Sequence, residues 1–144
     1  MLRNCLFFKK SYTRNGLFKG RKNFLVVTAS SYVKLQQAYF SESSMAGGWQ
    51  LIGYLAPSGA GANQTTNFTY EGGITAAGSD DLSDEVEGWA ASNRQNLNEC
   101  TAGKNWTVTL SKASGTTQAD IAFTASAGDA GCVALTPTFD KIGK

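Results

Sequence analysis

Between Ser31 and Ser43 the apolar positions return with a period near 3.6. Tyr32, Val33, Leu35, Tyr39 and Phe40 share one broad side, Gln36 sits among them, and Lys34, Gln37 and Ser41 fall mostly elsewhere. The pattern predicts a helix that begins around Thr28 to Ser30 and is stopped by Gly47-Gly48, with an aromatic side that needs a sheet to lie on. Everything that follows is strand-like. Trp49–Leu55 reads as a first strand or an extended connection closed by Pro57-Ser58-Gly59, and Thr66–Tyr70 alternates as a strand should. In Asn105–Leu110 the residues Trp106, Val108 and Leu110 share one face, with hydroxyls on the other. After Ser114-Gly115, Ile121, Phe123 and Ala125 do the same, so the two runs predict an antiparallel hairpin with a long tip. Cys132-Val133-Ala134-Leu135 predicts a last short strand before Pro137, and Gly59–Gln64 and Gly72–Ser79 read as loops. The expected class is α+β: one N-terminal helix packed on a small antiparallel sheet.

A chain of 144 residues, 42% hydrophobic, holds one domain with a modest core. Its net charge of +2 conceals a division, because residues 1–34 carry eight Lys or Arg and no acid, whereas residues 35–144 carry five bases against eleven acids. The basic character therefore belongs to a leading segment and not to the fold. No mixed aromatic and basic surface continues into the rest, which argues against a nucleic-acid partner. Residues 1–28 form an atypical basic segment, leader-like or a mis-assigned start, ahead of a domain at 29–144. Its apolar run, Phe24-Leu25-Val26-Val27, is shorter than the roughly 7–15 residues of a secretory signal and the roughly 20 of a membrane helix; an organelle transit peptide is a further reading.

Cys100 and Cys132 bracket the last strand-like third of the chain, and Cys5 lies far away in the basic segment. If the pair is a disulfide, the domain is an exported one, and closing a loop of about thirty residues contributes roughly 3–4 kcal/mol. The alternative is two reduced, buried cysteines packed as small hydrophobes.

The helical SYVKLQQAYFSE at Ser31–Glu42, the GWQLIGY at Gly48–Tyr54, the GWAASN at Gly88–Asn93 and the Cys100, Cys132 pair occur in an order that resembles the globular part of a type IV pilin or a type II secretion pseudopilin. The resemblance covers roughly residues 29–144 and implies a helix seated on a sheet by Tyr32, Leu35, Tyr39 and Trp106, a C-terminal region bounded by a Cys100–Cys132 disulfide, and assembly with other pilin subunits through a dedicated machinery. It also implies an extracellular or cell-surface location reached by way of the inner membrane. Pilins carry a leader ending in Gly, then an aromatic residue and a Glu within a long apolar helix. Here Gly16-Leu17-Phe18 is a faint echo, followed by Lys19, Arg21 and Lys22 where apolar residues are required, with no Glu. The expectation is therefore an N-terminal assembly segment that is absent or altered.

Catalysis has little to work with. The chain has no histidine, which removes His-dependent triads and dyads and histidine metal ligands, and no phosphate-cradling glycine motif, CxxC pair or cofactor signature occurs. Ser111-Lys112 at a strand end reads as a surface turn. Asp80, Asp81, Asp84, Glu85 and Glu87 form the densest acidic cluster, a weak Ca²⁺ candidate at Asp80, Asp81 and Asp84 whose spacing is not that of an EF-hand; a solvated loop or the first turn of a short helix is the favoured account, because carboxylates that splay into water need no metal. Trp49, Tyr54, Trp89 and Trp106 offer either core packing or stacking surfaces for a surface glycan, and sequons stand at Asn63, Asn67 and Asn105. The leading expectation is a non-enzymatic filament subunit acting in adhesion, motility or secretion. The alternative is a secreted carbohydrate-binding module that uses exposed tryptophans, and a small hydrolase comes third.

Overall fold

The structure is a computed structural model that describes residues 14–113 and 120–144, with the backbone alone for 14–23. Cys5, the basic positions before Arg14 and the Ser114-Gly115 tip lie outside the described residues. Helix α1 (Arg14–Ser43) is followed by β1 (Ala46–Gly47), α2 (Trp49–Ile52), β2 (Phe68–Glu71), β3 (Ser79–Asp80), β4 (Val86–Asn93), β5 (Gly103–Lys112), β6 (Ile121–Ala127), α3 (Ala130–Leu135) and a 3₁₀ turn (Phe139–Lys141). Strands β2-β4-β5-β6 form one antiparallel sheet in that order, and β1 pairs with β3 in a small separate ribbon. The class is α+β.

The alternation along β4, β5 and β6 sets the two faces of the sheet. Tyr70 pairs with Ala91 and Ala91 with Trp106, Trp89 pairs with Val108 and Val108 with Ala125, and Leu110 pairs with Phe123, so these side chains share the inner face and all are buried. The opposite face carries Thr69, Ser92, Thr107, Thr109, Thr124 and Ser126, none of them in the core. The hairpin expected from Asn105–Leu110 and Ile121–Ala125 is present as β5 and β6.

Helix α1 lies across the inner face with Leu25, Ala29, Tyr32, Val33, Gln36 and Phe40 buried, a stripe repeating at three and four residues. It begins well before Thr28, and its end comes earlier than the Gly47-Gly48 stop: Ser44 takes a left-handed conformation (φ 60°) and returns its N–H to the Phe40 carbonyl at 2.8 Å, an αL cap. Gln36 is the polar member of the buried stripe. Its amide donates to the Gly47 carbonyl (2.8 Å) and the Tyr32 hydroxyl (2.9 Å) and accepts from the Gly47 N–H (2.7 Å), so one side chain stitches α1 to β1. Tyr32 lies over β4 at Gly88, where a Cβ would overlap the Tyr32 hydroxyl and the Leu110 side chain; the ladder is irregular at that residue, which is the glycine the close approach requires.

Two expected strands are helices instead. Cys132–Leu135 belongs to α3, because the Asp129 carboxylate accepts from the Cys132 N–H at 2.9 Å and caps the helix, a local bond that outweighs the ambiguous periodicity of four apolar or small residues. Trp49–Ile52 is one helical turn ended by Gly53 in the left-handed region (φ 78°), held because the N–H groups of Gln50 and Leu51 both reach the Ala76 carbonyl (3.0 and 3.3 Å). The bond partner comes from a loop twenty-five residues away, beyond what local pattern encodes.

Cys100 and Cys132 are joined in a disulfide, 32 residues apart in sequence and both fully buried. It ties the turn after β4 to α3, and Asn93 reinforces that turn by donating to the Cys100 carbonyl at 3.1 Å. Trp106 sits beneath it, donating its indole N–H to the Thr136 hydroxyl at 2.8 Å.

Candidate functional site

The expected seat of the helix divides between two supports. Tyr32 and Trp106 are fully buried, with Tyr32 edge-on to Tyr54 at 5.5 Å. Leu35 and Tyr39 are half-buried at the margin, and the Tyr39 ring edge lies against Gly47 of β1 rather than on the four-stranded sheet. Burial pushes the Tyr32 phenol well above its ordinary pKa, the Gln36 hydrogen bond opposing, so this side chain is a neutral packing group and not an acid-base one.

The outward side of α1 changes character along its length. Phe24 and Val27, three residues apart, are 45% and 59% exposed. Ser31, Lys34 and Ala38 continue the same stripe in polar or small form. An apolar pair on water therefore marks the N-terminal part of the helix, next to Leu25, the first of its described side chains in the core.

Trp49 forms the second surface feature. Its indole N–H donates to the Gly88 carbonyl at 3.0 Å and its ring meets Tyr54 edge-on at 4.9 Å, while Gly72 lies so close under the indole that a Cβ there would clash. Tyr54 in turn shares a 2.7 Å hydrogen bond with the Thr28 hydroxyl and accepts from the Trp89 indole at 2.9 Å, so the platform is braced from the helix and from the core. Burial raises the Tyr54 pKa, both hydrogen bonds opposing. A groove opens on each side of Trp49. The larger, about 710 Å³, is bounded by Gln50, Tyr54, Leu55, Ser58 and Asn63; the smaller, about 440 Å³, by Tyr70, Glu71, Gly72, Ile74 and Asn63. Leu55, at the rim of the larger groove, is 91% exposed.

Trp89 and Trp106 are fully buried and present no face to a sugar, which leaves Trp49, half-buried, as the tryptophan within reach of a ligand. Asp80, Asp81 and Asp84 are not brought together: the Asp80 carboxylate accepts from the Leu82 N–H (2.7 Å) and that of Asp81 from the Ser83 N–H (3.0 Å), each folding back on its own turn. The Ser83 bonds hold the Asp81 carboxyl below its usual range. The cluster is a loop rather than a helical turn, and Glu87 leaves it to join β4, where it accepts from Lys104 at 3.0 Å. Among the described residues the one group of potential metal ligands that converges is Cys100, Asp129 and Cys132, whose sulfurs are spent on the disulfide. Ser111 and Lys112, neighbours on β5, point to opposite faces and form no dyad. Of the three sequons, Asn67 is buried and Asn105 donates to Asn93 and Thr101, leaving Asn63 as the exposed one, with no side-chain hydrogen bond to a described residue. The sequence offered Trp49 and Tyr54 as stacking candidates but read Trp49–Leu55 as a strand or an extended connection, where the structure has a helical turn held by the Ala76 carbonyl.

Comparison with protein-family models, with curated proteins and with solved structures finds no match.

Proposed function

We propose that this chain is a structural subunit of a type IV pilus or pseudopilus-like filament, working by packing against other subunits rather than by catalysis. The observation that carries the reading is the arrangement of α1. A 30-residue helix, about 45 Å long, enters the core from Leu25 onward and exposes Phe24 and Val27 on the opposite side. The order of elements supports it: helix, connecting segment, antiparallel sheet, and a C-terminal segment fastened by the Cys100–Cys132 bridge. In this reading the exposed Phe24 and Val27 of α1 meet neighbouring copies in a heterologous, non-closing contact, while the hydroxyl-bearing outer face of the sheet looks to solvent. An assembly machinery and a cell-surface location follow from the same reading. No helix of the described residues is long and apolar enough to cross a membrane, so the contact between copies rests on surface residues such as Phe24 and Val27.

The test is immunogold electron microscopy of cells expressing the full chain from its own locus, with antibody raised against the folded domain. Labelled filaments are expected, and a Phe24→Asp, Val27→Asp variant is expected to abolish them while leaving the melting temperature of the purified protein in place. Expressed, surface-exposed protein without labelled filaments, or filaments unaffected by the double variant, would overturn the reading.

A further inference from the structure

We propose that the grooves flanking Trp49 are a binding site for a neutral saccharide, with a pyranose ring stacked on the indole and its hydroxyls engaged by the carboxamides of Gln50 and Asn63. The site is independent of filament assembly, because none of its residues lies on the outward stripe of α1.

Four observations point to this ligand class. The indole is immobilised before any ligand arrives: its N–H is satisfied by Gly88, its edge is packed on Tyr54, and Gly72 leaves it no room to tilt inward. A rigid, half-buried aromatic ring at a groove is what the apolar face of a pyranose stacks on, at little entropic cost to the protein. The larger groove is bounded by Trp49, Gln50, Tyr54, Leu55, Ser58 and Asn63 among others, and none of its lining residues is charged at neutral pH, the Tyr54 phenol being held neutral by burial. An anionic ligand would find no counter-ion in either groove, the one charged lining residue being Glu71 at the smaller, and a wholly apolar ligand would leave the amides unused. Gln50 and Asn63 are exposed and make no side-chain hydrogen bond to any described residue, so each brings a donor pair and an acceptor to the groove. Both grooves, about 710 and 440 Å³, fall within the roughly 300–1,000 Å³ of small-ligand sites, and they meet at Trp49 and Asn63, so consecutive sugar units have a path across the ridge. Exposed Leu55 extends the apolar rim toward a hydroxymethyl group.

The experiment is isothermal titration calorimetry of the purified full chain with a panel of neutral oligosaccharides of glucose, N-acetylglucosamine, galactose and mannose, with sialyllactose and a heparin disaccharide as charged probes. At least one neutral oligosaccharide is expected to bind with Kd below about 1 mM, and the charged probes are expected not to. Trp49→Ala should abolish binding. Because that change also removes a partner of Gly88, the deciding variant is Gln50→Ala, Asn63→Gly, which removes two exposed side chains that have no hydrogen-bond partner among the described residues and suits the left-handed backbone at Asn63 (φ 56°). It should keep the wild-type melting temperature and lose at least roughly tenfold in affinity, as expected when two hydrogen bonds are removed. No binding of any neutral oligosaccharide, binding that survives both variants, or preference for a charged probe overturns the proposal. None of these outcomes alters the immunogold result, so the two readings fail separately.

Discussion

Replacing Gln36 with Leu tests the join between α1 and the rest of the domain. The substitution keeps the helix and approximates the volume, yet leaves three polar groups behind in the core: the Gly47 N–H, the Gly47 carbonyl and the Tyr32 hydroxyl, now bonded at 2.7, 2.8 and 2.9 Å. Each stranded group costs about 1–3 kcal/mol, and the larger apolar surface that Leu buries returns about 1–2 kcal/mol, so the net destabilisation lies between about 1 and 8 kcal/mol with a middle value of about 4 kcal/mol. For a chain of this length that lowers the thermal midpoint by roughly 10 °C. A double-mutant cycle with Tyr32→Phe isolates the mechanism. In the wild-type background the change removes one of the partners of Gln36 and destabilises; in the Gln36→Leu background it deletes a stranded hydroxyl and should be neutral or stabilising, a coupling of about 1–2 kcal/mol. Urea denaturation followed by tryptophan fluorescence reports all four proteins. A Gln36→Leu midpoint within about 2 °C of wild type, or an additive cycle, would refute the reasoning.

Reducing the Cys100–Cys132 bridge, which closes a separation of 32 residues, should cost about 4 kcal/mol, read as a fall in denaturation midpoint with dithiothreitol; coincident curves would show that the unfolded chain gains no freedom from the cut. Stability should be flat around neutrality, since the chain has no histidine, and should fall in alkali. Burial raises the folded-state pKa of Tyr32, Tyr54 and Tyr70 above the unfolded value of about 10, so the stabilisation is complete below pH ~10 and is lost as pH climbs toward the folded values. Denaturation midpoints paired with tyrosinate absorbance check this, and a drop between pH ~7 and ~9 contradicts it.

The parts of the fold that local periodicity encodes were legible: the stripe of Tyr32, Val33 and Phe40, and the alternation that makes β5 and β6 a hairpin. Gln36 stood in that stripe as an anomaly, and the structure explains it, because α1 must bond to a backbone that no sheet ladder satisfies at Gly47. The misread segments were those decided by one hydrogen bond. Asp129 caps α3, a signal three residues before Cys132 that was present in the chain, whereas the turn at Trp49 depends on the carbonyl of Ala76 and had no local signature. Legibility of the site followed the same division. Tyr32 and Trp106 could be placed as core from their neighbours' periodicity, but the surroundings of Trp49 and Trp89 come from residues distant in sequence, Gly88 and Gly72 against the one indole and Tyr54 bonded to the other, which tertiary structure alone supplies.

The bridge between Cys100 and Cys132 also alters how the molecule bears load. Strands β5 and β6 lie wholly inside the covalent ring it closes. When the chain is pulled from its two ends, tension crosses the sulfurs and bypasses the hairpin, so about 110 Å of contour, 32 residues at ~3.4 Å each, never becomes available to extension. The parts that can yield are α1, β2 and β4, which peel from outside the ring, and the short tail beyond α3. A domain built this way gives a little and then stops, its last two strands acting as a fixed bead on the stretched chain.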